Sequence, residues 1–279
     1  MSNNDRHDAK LAEFKRLHTT SEIFIAPNAW DAGTARILES IGFPALATTS
    51  AGLAFSMGVT DSSGSLTRAQ VLENAKSIVE ATSVPVSADL ENGFGVQPDD
   101  CALTIRQAEA IGLCGGALED ASGDPENPIY DFELAVERIR VACAAKTKQN
   151  FHITARAENF LYGRPDLEDT IRRLRAFEQA GADVVYAPGL PDIDAVKAVC
   201  QSVNIPVNVV VGLTDTTYDK ADLAAVGVRR ISTGGSLARA ALGEMIRGAS
   251  ELKTQGTYRY AANAIPDAEA AAYMKTVPD

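Results

Sequence analysis

Short apolar runs of strand length alternate along this chain with stretches whose apolar positions recur every three or four residues, the mark of buried strands separated by amphipathic helices. After a polar leader over 1–22, with a short helix at 10–18, the run at 23–27 reads as a first strand. Asp31 is placed to cap a helix over 32–41, and Gly42 to stop it. A second strand at 45–49 leads into a Gly- and Ser-rich stretch at 50–65. A helix over 67–81 follows, and then a strand that runs from Pro85 into Asp89 and Glu91. The alternation continues with helices at 98–111, 132–146, 167–180, 193–199, 220–226 and 237–252, and strands at 116–118, 151–157, 183–187, 207–211 and 230–232. Eight strands and eight helices, at about 25 to 40 residues per unit and with no linker-like break, predict an α/β chain closed as one (β/α)8 TIM barrel over residues 1–279. The segment from about 255 to 279 lies beyond the eighth helix and is expected to pack on a neighbouring subunit.

Composition narrows the partners. The 279 residues are 46% hydrophobic and carry a net charge of −11, which repels polyanions, so neither nucleic acid nor an anionic membrane is expected to bind. No apolar run approaches the roughly 20 residues of a membrane span, and the polar N-terminus lacks a signal-peptide core, so the expected location is the cytoplasm. Four scattered cysteines, Cys101, Cys114, Cys143 and Cys200, suggest neither disulfides nor a structural zinc site.

In such a barrel the chemistry sits at the C-terminal ends of the strands. Polar residues gather there: Asn28, Trp30 and Asp31 after strand one, Thr49 and Ser50 after strand two, Asp89 and Glu91 on strand three, Glu119 and Asp120 on strand four. Arg156 and Glu158 end strand five, Tyr186 strand six, Asn208 strand seven, and 232–236 strand eight. If the third strand continues through Glu91, it and Asp89 leave the same face. Crowded carboxylates need a cation, and an all-oxygen donor set points to a hard ion such as Mg²⁺, with Mn²⁺ as a possible substitute. His7 and His18 lie in the leader and His152 at the wrong end of strand five, which disfavours zinc. Arg156 either grips a substrate carboxylate or neutralises Glu158 or Glu119. Trp30 is a substrate contact or a packing aromatic, and Gly234-Gly235-Ser236 a phosphate cradle or a tight turn.

Four motifs in order, Pro27-Asn28-Ala29-Trp30-Asp31-Ala32-Gly33-Thr34-Ala35, Ala88-Asp89-Leu90-Glu91-Asn92-Gly93-Phe94-Gly95, Leu118-Glu119-Asp120 and Ala155-Arg156-Ala157-Glu158, make the chain resemble the isocitrate lyase and phosphoenolpyruvate mutase superfamily from about residue 23 to 256. The resemblance implies a barrel whose eighth helix is exchanged within a dimer, usually in a homotetramer of two such dimers. It also implies a Mg²⁺ that chelates a 2-oxo or 2-hydroxy acid. By motif position Asp89 is the direct metal ligand, with Glu91, Glu119 and Asp61 as the acidic shell. Thr49, Ser50 and Ala51 match the loop that takes the substrate carboxylate, Arg156 the substrate-binding arginine, and Asn208 a polar contact. Asn127 falls where the mutases have a gating asparagine.

Departures from the pattern bear on the reaction. Superfamily lyases acting on isocitrate or methylisocitrate carry a Lys-(Lys/Arg)-Cys-Gly-His loop after strand four; residues 120–128 here contain neither Cys nor His, and Pro125 stands where the mutases have lysine. Glu91 replaces the usual Asp. The expected activity is therefore a Mg²⁺-dependent lyase that cleaves a carbon–carbon bond of a small oxaloacetate-like dicarboxylate through an enolpyruvate intermediate, with Arg156, Asp61 and Glu119 as its catalytic groups. The alternatives are phosphoenolpyruvate mutase or phosphonopyruvate hydrolase chemistry, and a non-catalytic 2-oxo acid binding protein.

Overall fold

The structure is a computed structural model that describes residues 3–61, 64–214 and 218–275. Residues 1–2 of the expected leader and 276–279 of the expected extension lie outside the described residues. The strands are β1 (Phe24–Ala26), β2 (Asn28–Ala29), β3 (Leu46–Thr48), β4 (Val86–Asp89), β5 (Gly115–Glu119), β6 (His152–Arg156), β7 (Val184–Tyr186), β8 (Val207–Val210) and β9 (Arg230–Ser232). All pairings are parallel, and the order runs β1-β9-β8-β7-β6-β5-β4-β3-β2. β1 and β2 are the two halves of the expected first strand. Pro27, between them, has no N–H for a ladder and breaks the strand, while its carbonyl accepts from Ala47 N at 2.9 Å. One half pairs with the last strand and the other with the second, and this closes the (β/α)8 barrel.

Around the strands lie α1 (Asn3–Thr19), α2 (Ala32–Ser40), α3 (Ser50–Ser56), α4 (Arg68–Ala81), α5 (Pro98–Ala110), α6 (Phe132–Ala144), α7 (Leu167–Gln179), α8 (Ile193–Ser202), α9 (Lys220–Ala225), α10 (Ser236–Gln255) and α11 (Asp267–Tyr273). Their starts follow ordinary capping chemistry: Asp31 accepts from Thr34 N at 2.7 Å, and Thr67 and Gln70 form a reciprocal capping box. α3 falls in the Gly- and Ser-rich stretch at 50–65, to which the sequence assigns no element. Thr49 caps it by accepting from Gly52 N, and Leu53 and Ala54 are buried, so tertiary packing overrides a Gly- and Ser-rich composition.

α1 is longer than expected and closes the N-terminal end of the barrel. Its Leu11, Phe14 and Leu17 are buried, and the Phe14 ring meets the rings of His18 and His152 at centroid distances of 4.6 and 5.5 Å. Gly115 permits this, because a Cβ there would lie 2.7 Å from His152 O and 3.0 Å from Phe14 Cε1.

At the other end of the chain α10 stands off the barrel. Leu237, Met245, Ile246 and Leu252 are exposed along it, and Gly248 receives the Tyr260 ring from the following 3₁₀ turn (Arg259–Asn263). The extension expected on a neighbouring subunit touches α2 of its own chain: Arg36 Nη1–H donates to Met274 O, and the Met274 sulfur approaches Gly33. Gly33 has no side chain to hold that thioether away.

Candidate active site

The C-terminal ends of the strands open onto a cavity of about 310 Å³. Its wall includes Thr48, Thr49, Ser50 and Ala51 after β3, Asp89 on β4, Arg156 on β6, Tyr186 on β7, Asn208 on β8 and Ser232 on β9, with Asp61 at the mouth. Phe55, Leu161 and Leu213 give that mouth an apolar rim. Below the polar ring the lining turns small, with Ala47, Ser87, Ala117 and Thr154, so the cavity continues down the barrel axis to Arg230. A larger cleft of about 1960 Å³ runs outside the barrel beside α1 and contains none of these residues.

Arg156 is the hub. The β5–β6 register sets it opposite Glu119, and the β6–β7 register opposite Tyr186, whose ring centroid lies 5.0 Å from its guanidinium carbon. Its Nε–H donates to Glu158 Oε1 at 2.7 Å, Nη1–H to Asp89 Oδ1 at 3.2 Å, and Nη2 sits 3.2 Å from Glu119 Oε2. Burial would lower its pKa, but Glu158, Glu119 and Asp89 outweigh that and hold it well above the ordinary guanidinium value. Glu119 and Glu158 are raised in turn, by burial first and with Arg156 opposing. Arg156 therefore takes the neutralising role toward Glu158 and Glu119, and it also lines the cavity.

Asp89 is fixed from two sides, accepting from Ser50 Oγ–H at 2.9 Å as well as from Arg156. Its own N–H donates to Thr48 Oγ1 at 3.0 Å, so the second strand positions the third strand's carboxylate. The strand ends there. Glu91 is in the left-handed region with φ 47°, so it does not share a strand face with Asp89 as expected. The turn is imposed by its surroundings: Glu91 O accepts from Glu119 N at 3.0 Å, and Arg138 donates to the carbonyls of Asn92, Gly95 and Val96. Arg68 adds contacts to Gly93 O and Phe94 O. Burial, then repulsion from Asp89 and Asp61, pushes the Glu91 carboxyl up to about 8, and its Oε1 is buried with no hydrogen-bond partner. Asp61 is raised by burial and by Asp89, against a hydrogen bond from Ser50.

One arginine thus stands among more carboxylates than it can neutralise. Among the described residues no three carboxylates converge as a ready-made ligand cluster, because Arg156 stands between Asp89, Glu119 and Glu158. That arrangement, with the orphaned Glu91 oxygen and an all-oxygen donor set, fits a hard cation held by one or two carboxylates and water rather than a full protein cage.

Two predicted contacts lie elsewhere. Trp30 is outside the cavity wall and packs beneath α3, where its Cβ would come within 2.7 Å of a Cβ on Gly52; of the two readings, the structure gives the packing aromatic. Asn127 is exposed in a loop closed by the Ala121–Ile129 bridge, and its Nδ2–H donates to Asp124 Oδ2 at 3.3 Å. Gly234-Gly235-Ser236 is a turn, since Asn28 Oδ1 already accepts from Thr233 N and Gly234 N at 2.8 and 2.9 Å.

The residues that hold the site from behind went unpredicted. Asp120 is buried, accepting from Glu158 N at 2.8 Å and from Arg173 Nη1–H at 2.9 Å, and Arg173 is anchored in turn on Asp169. An Arg on a helix and an Asp three elements away carry no shared sequence signal, although Asp120 beside Glu119 was visible as part of the rim.

Comparison with known proteins gives the same direction. The family model for phosphoenolpyruvate phosphomutase matches residues 14–253. A solved structure from Burkholderia cenocepacia J2315, provisionally classed as a lyase or mutase, is 48% identical with a TM-score of 0.94, over 99% of this chain and 98% of its own. The 2,3-dimethylmalate lyase of Eubacterium barkeri is 28% identical over 77% of this chain and 76% of its own, and the oxaloacetate decarboxylase of Chromohalobacter salexigens 26% identical over 84% and 82%.

Proposed function

The chain belongs to the phosphoenolpyruvate phosphomutase family, and from that premise we propose that it is a Mg²⁺-dependent lyase that cleaves a carbon–carbon bond of a small 2-oxo or 2-hydroxy dicarboxylate, leaving enolpyruvate where a 2-oxo acid loses CO₂, or a 2-oxo acid and the enolate of the departing acid where a 2-hydroxy acid is cleaved. The observation that carries this reading is the make-up of the cavity wall. Among the described residues it has carboxylates, hydroxyls and arginines but no Cys, His or Lys. A wall without a thiol, imidazole or ammonium best suits a cleavage whose chief demand is a sink for negative charge, as in loss of CO₂, since a retro-aldol step also needs a base to take the 2-hydroxyl proton. The lyase and decarboxylase among its relatives act in the same sense.

Asp89, with Glu91, Glu119 and Asp61 behind it, would hold the Mg²⁺, which when bound supplies electrophilic stabilisation of charge on the substrate's oxygens. Arg156, held by Glu158 and Glu119, keeps its charge and direction and faces the same negative charge as it develops. Ser50 orients Asp89 with its one O–H, and the start of α3 leaves the Ala51 amide to meet a carboxylate. Phe55, Leu161 and Leu213 limit water at the mouth. Phosphonate chemistry is less well served: apart from Arg156 and Arg230, the described wall has one cation, Arg239, and its Nη1–H is donated to Leu213 O at 3.0 Å.

Incubation with Mg²⁺ and pyruvate in D₂O should give deuterium at C3, abolished by EDTA, and oxaloacetate or a 2,3-dialkylmalate should be cleaved. Absence of both, with phosphate released from phosphonopyruvate, would transfer the protein to the P–C branch. Tight oxalate binding without any turnover would make it a 2-oxo acid binding protein. Two further parts of the reading are a cytoplasmic location and a homo-oligomer in which α10 crosses to a second copy.

A further inference from the structure

Among the described residues three arginines are buried, Arg138, Arg173 and Arg230, and Arg156 is nearly so; all but Arg230 are fully engaged. Arg156 has three carboxylates, Arg173 has Asp120, Asp169 and the Tyr130 carbonyl, and Arg138 has three loop carbonyls and the Tyr130 ring. Arg230 is the exception. It is 6% exposed, on the inner face of β9 at the floor of the cavity. Among the described residues its one hydrogen bond is from Nη2–H to Ser87 Oγ at 2.7 Å; its Nε is buried and unpartnered, and no carboxylate lies within ion-pairing distance.

Beneath it is the Phe14 ring, 5.7 Å from the guanidinium carbon. His18 and His152 stack at 4.9 Å next to that ring, and both are held below their ordinary pKa, chiefly by burial, so they add no second positive charge, and an imidazole supplies no counter-charge in either state. Burial also pushes Arg230 itself down, to about 10, with only the Tyr186 hydroxyl opposing. A buried guanidinium without an anion is among the costliest arrangements in a protein interior. The hydroxyls around it suit an anion. Ser87 Oγ accepts from Arg230, and Ser232 Oγ accepts from Asn208 Nδ2–H at 2.9 Å, which leaves each O–H free to donate into the cavity.

We propose that the floor of the barrel cavity is a second anion subsite, in which Arg230, assisted by Ser87 and Ser232, binds a small monoanion, either a carboxylate or a halide. The site lies one layer below the Asp89 and Arg156 ring, since Ser87 precedes Asp89 by two residues on the same strand face. It is a site for charge neutralisation and binding, and does not depend on which reaction the rim performs.

The test uses the full chain exchanged into sodium gluconate, whose anion is too large for the floor. Thermal midpoints are followed as gluconate is replaced by bromide or by acetate at constant ionic strength. The expected result is a saturable rise in midpoint for the wild type and none for Arg230→Met, with Ser87→Ala retaining a weakened response. Crystals grown in bromide should show an anomalous peak beside Arg230. Saturation by acetate alone assigns the subsite to a substrate carboxylate, and saturation by bromide as well assigns it to a free anion. The proposal is overturned by a linear, unsaturated response to both anions that is equal in wild type and Arg230→Met, or by crystals grown in bromide and in acetate that show neither anion at Arg230. The crystal result decides even if Arg230→Met fails to fold.

Discussion

Asp89 and Arg156 carry most of the site's electrostatics, and both stand at strand ends that the alternation of apolar and polar positions reveals. Asp89 accepts from Ser50 and Arg156 and is one of an excess of carboxylates, so its removal relieves repulsion while deleting the oxygen proposed to bind the metal. Asp89→Ala should therefore melt within a few degrees of wild type but lose about a thousand-fold or more in kcat/KM, the scale of several kcal/mol of charge stabilisation. Full Mg²⁺-dependent turnover in that variant would remove the metal assignment. Other residues resist reading from sequence for identifiable reasons. Glu91 looks like the next residue of a strand, yet it takes φ 47° because Arg138 and the Glu119 amide hold its loop, and those contacts come from distant elements. Arg230 sits in a three-residue strand beside another arginine, and nothing in the sequence says which of the two points inward.

Among the elements, the strands and the middle helices were legible because burial imposes their periods directly. α1 was legible only over 10–18, since its 17 residues include only a few apolar positions and its role depends on the open end of a barrel that exists only after closure. Phe14 is fully buried there, so Phe14→Ala should cost about 3 to 5 kcal/mol in chemical denaturation, the range for a large aromatic cut from a packed core. Ordinary wild-type stability in that variant would mean that α1 is not a plug. The same helix brings a pH dependence. His18 donates from Nδ1–H to Phe14 O at 2.8 Å, and burial keeps its pKa well below the usual value. The unfolded chain accepts a proton near pH 6.5 that the folded chain refuses. This contribution is therefore complete above about pH 6.5 and is lost as pH falls below it, by up to about 1.4 kcal/mol per pH unit. His18→Gln, compared with wild type between pH 8 and 5, should flatten that loss; parallel curves would place the titration elsewhere.

For the whole molecule, barrel closure follows from eight repeats of one unit, but the destination of the last helix does not. An amphipathic pattern over 236–255 says that one face needs cover without saying whose barrel supplies it. In the structure α10 leaves Met245 62% and Ile246 60% exposed, together with Leu237 and Leu252, while α11 occupies α2 of its own chain. An apolar stripe of this kind on a protein of net charge −11 calls for a partner that buries it against the repulsion of two acidic surfaces. A second copy can do so by exchanging the same helix, which makes the contact two-fold symmetric and closed. Light scattering should then find a dimer or a pair of dimers, and the double change Met245→Glu with Ile246→Glu should yield monomers with a lower melting temperature. Salt separates this seam from one built on ion pairs: because burial of apolar surface drives it and like charge opposes it, raising sodium chloride should leave the assembly intact or tighten it. Dissociation in high salt, or a monomeric wild type at micromolar concentration, would rule out helix exchange.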